Sequence, residues 1–247
     1  MRWMTRLVPS VLLAGVVAAF AAEAPKPPAF QDYYFGLLRR GPSWSAERTP
    51  RTDSIQAGHM ANIGRMHEAG LLVAAGPFER GQDRRGVFIF RADSIDRIRT
   101  LVAQDPAIAA GRLRMDLYRW SAPPGIGDLY RVRSAREGHT DSMYVLQLAV
   151  LRYGPKWGGF EDTETMTDLG AHGMRLMGLF RDGRVATGGR FYPGGPDSTI
   201  SGVLVFRADS ATARALLTED PAIKAGRFAA EWEKWWVAWG TLPGDTL

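Results

Sequence analysis

Three blocks of this sequence occur twice, in the same order. Leu-Arg-Arg-Gly-Pro-Ser-Trp at 38–44 returns as Leu-Arg-Tyr-Gly-Pro-Lys-Trp at 151–157, 113 residues later. Val-Phe-Ile-Phe-Arg-Ala-Asp-Ser at 87–94 returns at 203–210 with one exchange of Phe for Leu and one of Ile for Val, an offset of 116. Asp-Pro-Ala-Ile-Ala-Ala-Gly-Arg at 105–112 returns as Asp-Pro-Ala-Ile-Lys-Ala-Gly-Arg at 220–227, an offset of 115. At the 113-residue spacing His59 also meets His172, Gly70 meets Gly183, Gly76 meets Gly189 and Phe78 meets Phe191. Offsets that drift by one to three residues are what small loop insertions leave between two copies of one domain. The chain is therefore expected to fold as two like units, at 30–122 and 140–240, joined by a linker at 123–139 that opens on a run of proline and glycine.

Each unit reads β-α-β-β-α-β. A first strand at 33–38, matched by 143–151, precedes a helix through Ile55, His59, Ile63 and Met66, whose spacing of four, four and three marks one helical face. The counterpart carries Leu169, His172, Leu176 and Phe180; Gly70 and Gly183 stand where a helix-ending glycine belongs. A hairpin follows, with strands at 71–75 and 87–90. Asp93-Ser94 and Asp209-Ser210 are N-cap candidates for a second helix, and a last strand ends at Trp120 or runs through 232–239. This is the order of a ferredoxin-like unit, an α+β arrangement with helices on one face of an antiparallel sheet. The bare face of each sheet needs cover, which the other unit supplies, so two sheets face to face form one pseudo-symmetric α+β barrel. Trp235, which matches Trp120, shares a strand face with Trp239 and is expected to pack sheet to sheet.

A His in the first helix, Gly76-Pro77-Phe78 opening a hairpin, and Asp-Pro-x-x-x-x-Gly together resemble the YCII-related family of dimeric α+β-barrel proteins. The likeness covers both units, although Gly189-Arg190-Phe191 replaces Gly-Pro-Phe in the second. That family is marked by one His and one Asp held to be candidates for catalysis, and it includes a dehydrochlorinase of aromatic degradation. The resemblance implies two pairs here, His59 with Asp105 and His172 with Asp220. It implies a lyase or isomerase acting on a small organic, aromatic-like molecule with His as general base. The alternative is a non-catalytic small-ligand-binding or interaction module. Relatives with one copy pair with a second chain, so the tandem arrangement implies a monomer that is its own pseudo-dimer.

The residues themselves leave both readings open. Imidazole titrates near working pH and suits proton transfer, yet a histidine on an apolar stripe can equally be a core residue bonded to a carbonyl. Asp105 and Asp220 precede proline, a plain helix start that does not prevent either from also orienting a histidine. If the dyad forms, His59 and Asp105 lie within direct or one-water hydrogen-bond reach at a partly buried cleft. Arg39 with Trp44, and Arg152 with Trp157, flank the first Gly-Pro turn of each unit and are ligand-binding candidates for an aromatic or carboxylated molecule; the same tryptophans could plug the end of the barrel. His67 and His139 have no counterpart in the other unit, and His59 and His67 stand about 12 Å apart along a helix, too far to share a metal. No metal site, phosphate-binding loop or cofactor motif is legible, including any pattern for an axial haem histidine, so no cofactor is expected.

Composition narrows the partners. The chain has no cysteine, which excludes disulfides, thiolate metal sites and a Cys nucleophile. Residues 1–21 read as a signal peptide: Arg2 and Arg6 precede an uncharged run at 7–20, and Ala19-Phe20-Ala21 presents small residues to a signal peptidase. Fourteen residues reach only about 21 Å as a helix, short of a bilayer core of about 30 Å, so no stable membrane anchor is expected. Without the two leader arginines the mature chain has 29 basic and 26 acidic residues, too even a balance for a nucleic-acid partner. A Pro-rich tether at 22–29 follows. N-terminal sequencing of protein from its native host is expected to begin at Ala22, in a periplasmic or extracellular fraction; a sequence beginning at Met1 refutes the leader.

Overall fold

The computed structural model describes residues 30–79 and 82–246; the expected leader and tether lie outside the described residues. The first unit runs β1 (Gln31–Arg40), α1 (Pro50–Glu68), β2 (Leu72–Pro77), β3 (Arg84–Phe90), α2 (Ile95–Ala103), α3 (Pro106–Ala109) and β4 (Leu113–Ala122). A connecting helix α4 (Asp128–Ser134) leads to β5 (Met143–Tyr153), α5 (Thr163–Arg181), β6 (Val185–Arg190), β7 (Ile200–Phe206), α6 (Ser210–Thr218), α7 (Pro221–Lys224) and β8 (Phe228–Ala238). Both sheets are antiparallel and share one topology, β2-β3-β1-β4 and β6-β7-β5-β8. These are two ferredoxin-like units, each extended by a short helix at its Asp-Pro block.

Local chemistry explains the boundaries. Thr49 caps α1 through a reciprocal box with Thr52, and Pro50 takes the first helical position, where its missing N–H costs nothing. Gly70 and Gly183 follow the helix ends with φ of 70° and 67°, the left-handed conformation that glycine adopts without strain. Ser94 and Asp209 cap α2 and α6, as the sequence suggests. Central strands are apolar on both faces. In β1, Tyr33, Phe35 and Leu37 enter the core between the sheets, while Leu38 packs under the helices; in β5, Leu146, Leu148 and Val150 face inward and Ala149 and Leu151 outward.

The inner faces of both sheets merge into one core containing Trp120 and Trp235, both fully buried. The expected face-to-face packing is therefore present, and it is sealed at the sheet edges. Phe78 bridges Trp235 and Phe191 bridges Trp120; Glu79 N donates to Lys234 O and Tyr192 N to Arg119 O, each at 2.9 Å. The strands approach so closely that a Cβ on Gly76 would lie 1.8 Å from the Trp236 carbonyl oxygen, and one on Gly189 equally close to that of Ser121. Trp239, expected beside Trp235 on the strand, lies past the end of β8 and meets Tyr144 edge to face at 5.1 Å.

The linker differs from a plain breaker segment. Ile126 is fully buried in the inter-sheet core, and Gly127, at φ 81°, donates its N–H to Thr241 O at 2.7 Å before α4 begins. Seven residues are too few for helical periodicity to show in the sequence, so α4 went unforeseen. No helix among the described residues is long and apolar enough to cross a membrane.

The closure at Gly76 predicts an asymmetric pair of glycine effects. Gly76→Ala is expected to lose about 1–3 kcal/mol of unfolding free energy through overpacking. Gly173→Ala, in α5 with nothing near its built Cβ, is expected to gain about 0.5–1 kcal/mol. Urea denaturation of the two variants checks this.

Candidate active site

Helix α1 turns three buried side chains toward the sheet: His59, Asn62 and Met66. Asp105 stands opposite, at the N-cap of α3, and is almost fully buried. Its Oδ1 accepts the N–H groups of Ala107 and Ile108, at 2.9 and 3.4 Å. Its Oδ2 meets His59 Nδ1 at 2.8 Å and accepts from Asn62 Nδ2 at 3.1 Å. Arg65 in turn donates to Asn62 Oδ1 at 3.1 Å, fixing the amide. One carboxylate thus both starts a helix and holds the imidazole, so the two roles weighed for Asp105 coexist. The His59 ring lies nearly parallel to Phe88, with centroids 5.9 Å apart.

Burial acts to raise the Asp105 pKa, but the His59 hydrogen bond and charge, the Asn62 amide and the Ala107 N–H outweigh it and hold the carboxyl below its ordinary range. An ionised Asp105 accepts a proton-bearing Nδ1, which leaves Nε2 as the nitrogen able to take or give a proton. His59 also lines a cavity of about 510 Å³. Ile63, Val73, Ala75, Phe88 and Met143 give it apolar walls, and Gln56 adds a polar group near His59. A volume of this order suits a small organic molecule. The cavity also reaches outside the first unit, to Tyr130 of α4 and to Asp141, Ala238 and Thr241.

His172 and Asp220 repeat the pair. His172 Nδ1 lies 2.9 and 2.8 Å from the two carboxylate oxygens, and Asp220 caps α7 through Ala222 and Ile223. The surroundings differ. Arg175 replaces Asn62 and donates to Leu216 O at 2.9 Å, and Phe228 meets His172 edge to face at 5.4 Å. At the 113-residue offset Gln56 becomes Leu169 and His67 becomes Phe180, both packed on the apolar core of the second unit. Arg190, where the first unit has Pro77, lies over the ring of Tyr192 at 5.2 Å.

Arg39 and Trp44 do not meet. Arg39 points to the barrel side of β1, paired with Asp83 and with Asp116 at 3.2 Å, while Trp44 packs on the helix side, ringed by Arg40, Arg85 and Arg112. Arg152 likewise binds Asp197 and Glu231 on the barrel side, and Trp157 packs with Tyr153, Phe160 and Phe228. None of these four residues lines the cavity. The reason is strand alternation: one step along β1 or β5 moves a side chain to the opposite face, and the Gly-Pro turn then carries the tryptophan under the helices. Asn62 is the member that the sequence reading missed. It sits three residues past His59 on the same face, a spacing that could have flagged it, but the second unit does not repeat it.

Stability owed to Asp105 is present above the ordinary aspartate range and is lost as pH falls through its lower folded value. Asp105→Asn, which keeps a competent cap, is expected to cost about 1–3 kcal/mol at neutral pH. It should also shrink the loss of stability on acidification below about pH 4. Urea midpoints measured across the acid range check both.

Residues 41–121 match the family described as the YCII-related domain. No curated protein sequence matches the chain. Among solved structures, a protein designated a chlorite dismutase is similar with a TM-score of 0.55 and 13% identity, over 84% of this chain and 94% of the other. An arginine variant of the chlorite dismutase from Candidatus Nitrospira defluvii is similar with a TM-score of 0.50 and 11% identity, over 84% of this chain and 91% of the other. Identities this low establish a shared fold and leave the chemistry to the site itself. The segment similar to the YCII-related domain holds the His59–Asp105 pair, and the chain shares the α+β fold of these two structures.

Proposed function

We propose that the protein is an exported lyase or isomerase that acts on a small organic, aromatic-like molecule, with His59 as general base and no obligate cofactor. The observation that carries this reading is His59 itself: Nδ1 is held by a buried carboxylate while the ring lines an apolar cavity. In an elimination, Nε2 takes a proton from a substrate carbon, the C–H electron pair becomes the new double bond, and the leaving group departs with its own bonding pair. In an isomerisation, the same nitrogen returns the proton to a different carbon. Asp105 stabilises the imidazolium formed in either case.

The second unit is a further copy of the same domain, and the first unit carries the reaction. Leu169 and Phe180 occupy positions that are polar in the first unit, which supports a structural role for His172 and Asp220. Export rests on the Arg-flanked apolar run and its Ala-x-Ala. A monomer fits because each sheet already finds its partner within the chain.

A non-catalytic ligand-binding module is the second reading, favoured by one observation. The His–Asp geometry persists in the second unit where its surroundings change, as a purely architectural pair would. Incubation in D2O with a panel of halogenated and C–H-acidic aromatic compounds separates the two. Catalysis appears as deuterium incorporation or halide release that falls about 100-fold or more in His59→Ala and persists in His172→Ala. Ligand binding unaccompanied by either signal favours the binding module.

A further inference from the structure

The end of the cavity away from His59 holds a polar cluster that the general-base reading does not use. His67 lies eight residues beyond His59 on α1, about 12 Å along the helix. Its ring packs against Tyr130 of α4 with centroids 5.1 Å apart, and its Nε2 lies 3.2 Å from Ser134 Oγ. Its Nδ1 faces Leu72 O at 3.4 Å, so both ring nitrogens have partners. Tyr130 donates its hydroxyl proton to Asp141 Oδ1 at 2.9 Å, and His139 Nε2 reaches the same oxygen at 3.0 Å. Burial, then the Asp141 hydrogen bond and charge, push the Tyr130 phenol up to about 12, so it remains a donor to Asp141 at working pH.

These bonds leave specific capacity unused. Asp141 Oδ2 has no protein donor among the described residues, and its side chain is half exposed, so the oxygen is reachable. The phenol oxygen, its O–H already donated in a hydrogen bond to Asp141, has only lone pairs left to offer. Thr241 lines the same region and brings a hydroxyl that donates as well as accepts. The far end is therefore rich in acceptors, with a carboxylate to repel anions, and it faces His59 across apolar walls. A neutral hydroxyl, which both donates and accepts, matches that set better than a carboxylate or a bare hydrocarbon end.

We infer that Asp141 and Tyr130 form a specificity subsite that selects apolar, ring-sized substrates bearing a hydroxyl at the end remote from the atom His59 attacks. This deepens the proposed function and rests on the cavity being the substrate site. Neither selecting group belongs to the first unit: Tyr130 comes from the connecting helix and Asp141 from the segment that leads into β5.

Binding of 2-naphthol, naphthalene and 2-naphthoate to the full chain, followed by ligand-observed NMR titration, tests the inference. The expected order is 2-naphthol about tenfold tighter than naphthalene, as a hydrogen bond to a carboxylate allows, with 2-naphthoate weakest. In Asp141→Ala the naphthol-to-naphthalene ratio should fall to about one. Asp141→Asn keeps the side-chain shape and should lower the ratio at least about threefold, which serves if the alanine variant fails to fold. Equal binding of naphthol and naphthalene by the unaltered protein, a preference for naphthoate, or a preference that survives loss of the carboxylate overturns this inference alone. Absence of binding by all three compounds overturns the cavity reading together with it.

Discussion

Backbone contact between the two sheets is the constraint on which the rest of the molecule depends. At Gly76 and Gly189 an edge strand of one sheet lies so near a carbonyl of the other that no side chain fits between them. That approach lets Phe78 and Phe191 bridge across and closes the space in which Trp120 and Trp235 are buried. Sheet edges left open would present unpaired N–H and C=O groups to other chains, and closure removes that liability. It also fixes the position of the β8 end, which supplies Ala238 to the cavity that His59 of α1 lines. The cavity thus draws its lining from the first unit, the connection and the second unit together.

Within that frame a single carboxylate sets the geometry of the candidate site. Asp105 divides its oxygens: Oδ1 satisfies the first free N–H groups of α3, and Oδ2 receives His59 and Asn62. Because α3 leads directly into β4, the imidazole is referenced to the sheet through a helix cap rather than through a flexible side chain of its own. Capping alone explains why an Asp-Pro start recurs in the second unit, where Asp220 does the same for α7. Capping does not explain Asn62, which donates to Asp105 Oδ2 and which the second unit replaces by Arg175. The difference between the two sites lies in this supporting layer and in the cavity walls, while the His–Asp pairs themselves are nearly alike.

Most of the fold was legible because it is written in local chemistry and in recurrence. Helix stops at Gly70 and Gly183, caps at Ser94 and Asp209, and two-sided apolar strands each follow from short-range rules, and the recurring blocks set them in register. The His59–Asp105 pair was legible for the same reason, together with a family likeness. Arg39 and Trp44 misled because adjacency in sequence suggested adjacency in space, whereas strand alternation puts Arg39 inside the barrel and the turn carries Trp44 beneath the helices. The cavity's far wall was illegible in principle. Tyr130 sits in a helix too short to show a period, and Asp141 precedes a strand of the other unit, so only closure of the barrel brings either near α1.

The connection between the units also makes them inequivalent. Two identical subunits related by a two-fold axis carry two identical sites, and a substitution in one appears in both. Two units in one chain are released from that identity, and a connection between them occurs once, so whatever it touches it touches on one side. Here α4 lies against the first unit's cavity, placing Tyr130 beside His67. The same connection is anchored by Ile126 in the shared core and by the Gly127 N–H on Thr241 O, so its position is set by the barrel and not by the site. With that wall in place, Gln56 and His67 line the first unit's cavity, and His67 finds partners in Ser134 and Tyr130. Their counterparts Leu169 and Phe180 are best used in packing. The departure of the second unit from the first is therefore what a single connection in a pseudo-symmetric barrel is expected to produce.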